Sequence, residues 1–289
     1  MNAQVIVNGI LLGGLYAAIG MGFATVWGVL NIMNVAHGSI IMVGAYVSYL
    51  LFRFFQLDPF LSIPFAMAVT FLLAYGIQRY LINYVIRAGT FMTLILTFGV
   101  QIILVNIALL IFKGDYLAVI PPYAGAGFEV GSARVSYIRL AVFAVALAIT
   151  TLLSLFVSRT KTGHAIQATG LNKEAAQLVG VNLRQIYALA YGLGGALAGA
   201  AGALMSPIYV ITPVLGVPLL GRAFAVTALG GLGSMAGPLV GGLILGLSET
   251  VGAVFLGPHY QEAIAFLMLL LILLLRPQGI FGKKFFAEG

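Results

Sequence analysis

A chain of 289 residues with 62% hydrophobic and 7% charged side chains, at a mean hydropathy of +1.11, is too apolar to be a water-soluble domain. Soluble domains run at about 45–50% apolar and about 25% charged, and a chain of this length has too little interior to hide the excess. The net charge of +7 does not point to nucleic acid, because Lys and Arg collect on the cytoplasmic loops of membrane proteins for reasons of insertion. The lack of cysteine excludes disulfides, thiolate metal sites and a cysteine nucleophile.

The opening MNAQVIVNGILLGG has no basic n-region and no small-residue cleavage site, and it runs directly into an apolar stretch, so a retained first span is predicted. A helix needs about 20 mostly apolar residues to cross about 30 Å of hydrocarbon. In chain order that criterion predicts spans near 8–30, 37–52, 60–82, 91–112, 138–158, 186–206, 213–230, 234–256 and 259–275. The expected fold is an all-α polytopic transmembrane helix bundle of about 8–10 membrane segments. The span at 37–52 is short, and that at 213–230 is flanked or interrupted by Pro207, Pro213, Gly216 and Pro218. Both are expected to be broken or re-entrant helices, tolerated where other helices or a water-filled path satisfy the freed backbone. The largest loop, 113–137, carries PPYAGAGFEV and reads as extended and turn-rich. No extramembrane region is long enough to fold alone, so 1–289 is read as one transmembrane domain and any soluble machinery as separate chains.

Counting basic residues by loop assigns the sides. One face collects Arg79, Arg87, Arg159, Lys161, Lys173, Arg184, Arg276, Lys283 and Lys284, and the other only Arg53, Lys113, Arg134 and Arg139, with Arg222 left inside a span. The richer face is expected to be cytoplasmic, and with it the C-terminus and the connection 159–185. Within that connection the stretch NKEAAQLVG has the marks of a short capped helix. Asn172 suits the N-cap, Glu174 lies in the first turn where the helix dipole favours an anion, and Gly180 is placed to end it. Asn182 and Gln185 are spaced as a capping box for the next span.

Glu174, Ala175, Ala176 and, after three more residues, Gly180 resemble the core of the EAA loop of ABC importer permeases. In that family this cytoplasmic helix docks into a cleft on the ATP-hydrolysing subunit. The resemblance implies an ATPase-coupling helix at about 172–182, with Ala175, Ala176 and Gly180 as its small, closely approaching face. The later Ile and Leu-Pro of the longer motif are not reproduced, which points away from maltose-type permeases. NVAHGSIIMVGAY (34–46), ALGGLGSMAGPLVGGLILGLSE (228–249) and LLLRPQGIFG (273–282) together are similar to the Liv-type permeases of branched-chain amino acid import, in the H-subunit-like branch. That resemblance implies an importer of the bacterial cell (inner) membrane. It would be built from this permease, a second permease subunit and two ATPase subunits, and fed by a substrate-binding protein. ATP would be used by the partner subunits, with no cofactor bound by this chain and no catalytic residue in it.

Other features are read against plainer uses. GLGSMA matches part of a dinucleotide fingerprint but lacks the strand and the βαβ unit, and the lone Gly282-Lys283 is no Walker A. Gly9/Gly13, Gly195/Gly199, Gly237/Gly241 and Gly242/Gly246 have the small-xxx-small spacing of close helix packing. His37, His164 and His259 lie in separate regions without a second ligand at metal spacing, so no metal is expected. Asn34 and His37 open a short segment, where a helix-start hydrogen bond competes with a place on the translocation path. Arg222 and Glu249 fall inside spans, with Glu249 about 24 Å along its own at about 1.5 Å per residue. Either they form a structural ion pair or snorkel, or they line a polar path. Related permeases for urea, amides or sugars remain alternatives. An ion-coupled secondary transporter is disfavoured by the scarcity of intramembrane carboxylates.

Overall fold

The computed structural model describes residues 3–282 apart from 132, 232 and 235. The expected positive residues Lys283 and Lys284 therefore lie outside the described residues. The chain folds as α1 (Ala3–Leu30), α2 (His37–Phe55) and α3 (Ile63–Ile77), with α3 running on through a π turn (Gln78–Ile82) into α4 (Asn83–Val85). A 3-10 turn and α5 (Thr90–Phe112) lead to a hairpin of β1 (Gly127–Val130) and β2 (Ala133–Ser136). Then come α6 (Tyr137–Arg159), α7 (Lys161–Leu171), α8 (Lys173–Leu178), α9 (Leu183–Met205), α10 (Gly216–Gly230), α11 (Gly237–Leu256) and α12 (Gln261–Leu275). Among the described residues, eight helices are long and apolar enough to cross a membrane, α3 with α4 counting as one and α12 being taken from Pro258. The fold is a polytopic membrane bundle with one small hairpin in the loop that the sequence reads as merely extended.

Two of the expected spans depart from simple crossing helices. At 15 residues, or about 22 Å, α10 is shorter than the hydrocarbon. α2 is long enough to cross, but it starts inside the bundle. After α1 ends at Leu30, Asn31 takes the left-handed conformation at φ 56°, and only seven residues beyond Leu30 the ring of His37 lies against the carbonyl of Ile19. Ile19 is eleven residues back along α1, about 16 Å from its end, so the connection 31–36 turns back into the bundle. The backbone groups it frees find partners there. Val35 N–H donates to Thr97 Oγ1 (3.3 Å), and the same hydroxyl lies 3.3 Å from the Met33 carbonyl.

The hairpin end of the bundle and the end bearing α7 and α8 are opposite. Gln4 of α1 reaches Arg134 of the hairpin, whereas Lys173 Nζ meets the carbonyl of Leu30. At the hairpin end Asp58 accepts from Phe60 N–H (2.9 Å) and from the Tyr123 hydroxyl (2.5 Å), tying the long loop to the α2–α3 connection. Burial first, then the bond to Asp58, push the Tyr123 phenol above its usual range.

What lets the helices approach is glycine. α1 lies antiparallel to α11: a Cβ on Gly13 would stand 2.7 Å from Leu243 Cα, one on Gly242 2.5 Å from Ala17 N, and Gly9 faces Leu247. The other expected pairs serve the same end, Gly195 and Gly199 against Thr70 of α3 and Gly237 and Gly241 against Gly230 and Val226 of α10. Apolar tails offer no hydrophobic drive for helices to associate, so packing and polar contacts must hold them together. Gly242→Leu is therefore expected to destabilise the purified chain by about 1–3 kcal/mol or more through overpacking. Gly76→Leu, where a Cβ meets nothing within 4 Å, should change it by no more than about 0.5 kcal/mol. Thermal unfolding in detergent reads both, and equal melting of the two variants would refute the glycine contacts as the source of packing.

Candidate functional site

The local chemistry of NKEAAQLVG folds as the sequence dictates. Asn172 caps α8, its Oδ1 accepting from Ala175 N–H at 2.9 Å, and Glu174 sits in the first turn. At the other end Gly180 is left-handed at φ 87°, with Gly180 N–H donating to Gln177 O (3.0 Å) and Val181 N–H to Ala176 O (3.1 Å). This pair of bonds is a Schellman stop. Asn182 then caps α9 through Gln185 N–H at 3.2 Å.

The surface of α8 differs from the expected small face in one respect. Ala176 is 3% exposed and turned into its own chain, so it is not free to meet another surface. Glu174, Ala175 and Gly180 are exposed, and the outward side is completed by apolar residues that the motif does not include, Leu171 (75% exposed), Leu178 (88%) and Val179 (80%). A Cβ on Gly180 would meet nothing within 4 Å among the described residues.

The interior candidates fall into two groups. Asn34 and His37 sit at the start of α2 inside the bundle, both buried. Asn34 Oδ1 accepts from the hydroxyl of Tyr191 on α9 (2.7 Å). His37 Nε2 lies 3.2 Å from the Ile19 carbonyl; a carbonyl can only accept, so that nitrogen carries the proton. The bond thus reaches across to α1 and does not cap α2, whose N-cap Ala36 makes no side-chain bond. Nδ1 of His37 is buried without a partner among the described residues. Beside it Gly38 meets Gly216, the first residue of α10, so closely that a Cβ on either would collide with the other's backbone. The starts of the two irregular helices therefore lie against each other.

Arg222 and Glu249 form the second group, and the structure joins them. Arg222 Nε donates to Glu249 Oε1 at 2.9 Å, the one ion pair among the described residues, with the side chains 12% and 0% exposed. Tyr16 of α1, which carries no signal in the sequence, donates to Glu249 Oε2 at 2.5 Å, and the Arg222 guanidinium lies 5.8 Å from the centre of its ring. Both carboxylate oxygens are thus occupied, and three helices meet on one charge. Because α11 starts at Gly237, Glu249 lies about 18 Å along it, less than the sequence estimate. Neither Tyr16 nor Tyr191 has a spacing signal, since each is one hydroxyl in an apolar, glycine-rich stretch.

The motif stretches also meet. Ile280 and Phe281 N–H donate to Leu229 and Gly230 carbonyls at 3.0 Å, and Gly279, left-handed at φ 73°, packs on Gly231. The tail RPQGIFG thus docks on Leu229, Gly230 and Gly231, at the start of the stretch that mimics a nucleotide fingerprint.

Removing one member of a buried pair leaves an uncompensated charge, at a cost of about 3–5 kcal/mol. Arg222→Met alone should strongly lower the melting temperature and yield of the purified chain, and Arg222→Met combined with Glu249→Leu should recover much of the loss. A double variant as unstable as the single one would show that the pair is not the unit that matters.

Residues 5–273 match the family model described as the branched-chain amino acid transport system permease component. The chain is 32% identical over 294 residues to the high-affinity branched-chain amino acid transport system permease protein BraD of Pseudomonas aeruginosa, covering 97% of this chain and 95% of that one. It is 31% identical, with the same coverage, to the corresponding LivH of Escherichia coli. A ribose import permease protein, RbsC of Haemophilus influenzae, is 30% identical over 168 residues, 55% of this chain and 50% of that one. The chain belongs to this permease family, and is a multi-pass ABC importer permease subunit for small polar solutes, a transport component without a catalytic role.

Proposed function

We propose that the chain forms one half of the translocation pathway of an importer for branched-chain amino acids in the bacterial cell membrane. ATP is hydrolysed on separate subunits that grip α8. The observation that carries the coupling role is the outward side of α8, where Leu178 and Val179 stand 88% and 80% exposed on a rigidly capped helix at one end of the bundle. Apolar side chains of that size gain nothing by facing water, whereas a cleft on a partner would bury them. Basic residues support this orientation: Arg159, Lys161, Lys173 and Arg184 lie at this end, in keeping with a cytoplasmic face.

The substrate reading is supported by relatives named for branched-chain amino acids along nearly the whole chain, while the ribose permease matches about half of it. A sugar permease is the second reading, favoured by that half-chain similarity alone. In the working complex, a second permease chain completes the pathway and a substrate-binding protein delivers the solute to the hairpin end. Movement of the ATPase subunits reaches the spans through α8, whose flanking α7 and α9 pack on α1: a Cβ on Gly170 would meet the carbonyl of Gly28, and Gly194 faces Gly22. Asn34 and His37 lie at the start of α2, which rests on the start of α10, and the Arg222–Glu249 pair holds the middle of α10.

Gly180→Leu forces a branched side chain into the left-handed region, costing about 1–2 kcal/mol locally, and places bulk where nothing of this chain stands. Membrane insertion and purification yield should survive. Retention of ATPase subunits, or binding-protein-stimulated hydrolysis, should fall about ten-fold or more. Gly180→Asn, which tolerates the left-handed conformation, separates strain from obstruction. Full retention with normal coupled uptake of leucine in Gly180→Leu would remove α8 from the coupling path.

A further inference from the structure

The middle of α5 carries an amide on the side of the helix that nothing among the described residues covers. Its buried side is Thr93, Thr97, Val100 and Ala108. The opposite side presents Met92, Ile95, Gly99, Ile102, Asn106 and Leu109, spaced alternately three and four residues apart, the rhythm of a seam between two left-handed supercoiled helices. The four apolar members are 40–49% exposed, Asn106 is exposed, and a Cβ on Gly99 would meet nothing within 4 Å.

Asn106 lies five residues from the centre of α5, about 7.5 Å along the axis, well inside a hydrocarbon half-thickness of about 15 Å. Its Nδ2 donates to the Ile102 carbonyl at 2.8 Å, and its Oδ1 has no partner among the described residues. Acyl chains cannot satisfy an amide, and a soluble protein does not reach that depth. The covering group must be a hydrogen-bonding residue on another membrane helix. We infer that this side of α5 is the intramembrane seat of the second permease chain, with Asn106 hydrogen-bonding across the seam and Gly99 admitting a partner side chain one heptad away. The inference rests on the importer reading for the existence of that chain.

The occupant follows from symmetry and chemistry. Two permease chains of one orientation, related by an axis along the membrane normal, present equivalent helices in parallel, so groups of equal depth face each other. An amide is both donor and acceptor, and so it complements its own counterpart or another short polar side chain at that depth.

The test uses the assembled complex. Because the chain has no cysteine, Gly99→Cys and Asn106→Cys can each be paired with single cysteines on the facing helix of the second permease chain and oxidised in membranes. Leu152→Cys, on exposed α6, serves as the lipid-facing control. Cross-linking at 99 and 106 but not at 152 is expected. Asn106→Leu should reduce recovery of the second permease chain about five-fold or more, while Asn106→Gln keeps it within about two-fold. The melting temperature of Asn106→Leu as a lone chain should not fall, since the side chain is exposed and its one hydrogen bond stays within its own helix. Normal recovery with Asn106→Leu, together with free labelling of the Asn106→Cys variant by a membrane-soluble maleimide in the intact complex, would overturn the inference while leaving the importer reading intact. Absence of any second permease chain from the unmodified complex would overturn both.

Discussion

Hydrocarbon supplies neither water to satisfy a free carbonyl nor a hydrophobic drive to push helices together, and the architecture follows from that double deprivation. The answer to the second is close approach at glycine. α1 is the hub: Gly9 and Gly13 seat α11, Gly22 seats α9, and Gly28 receives α7. α9 answers with Gly194 toward α1, Gly195 and Gly199 toward α3, and Gly202 toward α2. Backbones in contact gain dispersion over long lengths and lose little side-chain entropy on ordering, since glycine and alanine have none to lose. This explains why helices with hydropathy suited to lipid are hidden from it: 18 of the 23 residues of α9 are buried, against four of 23 in α5 and three of 15 in α12.

The answer to the first deprivation governs the irregular segments. A chain that turns back into the bundle at 31–36, and a helix as short as α10, leave polar groups that need partners at depth. The partners are Thr97, Tyr191 and the Ile19 carbonyl around the first, and the Leu117–Ile211 bridge in the approach to the second. The Arg222–Glu249–Tyr16 cluster then fastens the middle of α10 to α11 and α1. A lone charge at such a place would cost several kcal/mol, so the three groups stand or fall as a unit. Because α2 and α10 touch at Gly38 and Gly216, a shift in either must be felt by the other.

Much of this is legible in the sequence because some signals are local. Span positions come from runs of apolar residues, and eight of the nine expected spans meet the length of a crossing helix. The caps at Asn172 and Asn182 and the stop at Gly180 are set by the conformational preferences of single residues, so they survive unchanged in the fold. The four small-xxx-small pairs lie at helix crossings, but which helix each one meets is set by topology and could not be read. The same limit hides Tyr16 and Tyr191, whose partners lie 233 and 157 residues away. Arg222 and Glu249 could be flagged as expensive and an ion pair offered as one use, yet only the packing of α10 on α11 chooses it. The inward turn of Ala176 escapes for a related reason. A motif names the residues of a helix, while the packing of that helix decides which side they face.

The distribution of burial carries the last step. A bundle with a stiff interior and thinly covered outer helices is poorly suited to act alone, because its freedom to move lies where it has fewest contacts of its own. α5 and α8 are the two places where that incompleteness takes a chemical form. One leaves an amide facing hydrocarbon, and the other leaves large aliphatic side chains exposed on a capped helix at the end of the bundle. Each is unfavourable in an isolated chain and becomes favourable once covered, and the two lie in different media, one in lipid and one in water. On the reading proposed above, a permease gripped from outside the membrane and paired within it would need both, on separate elements so that movement at one end is resisted at the other.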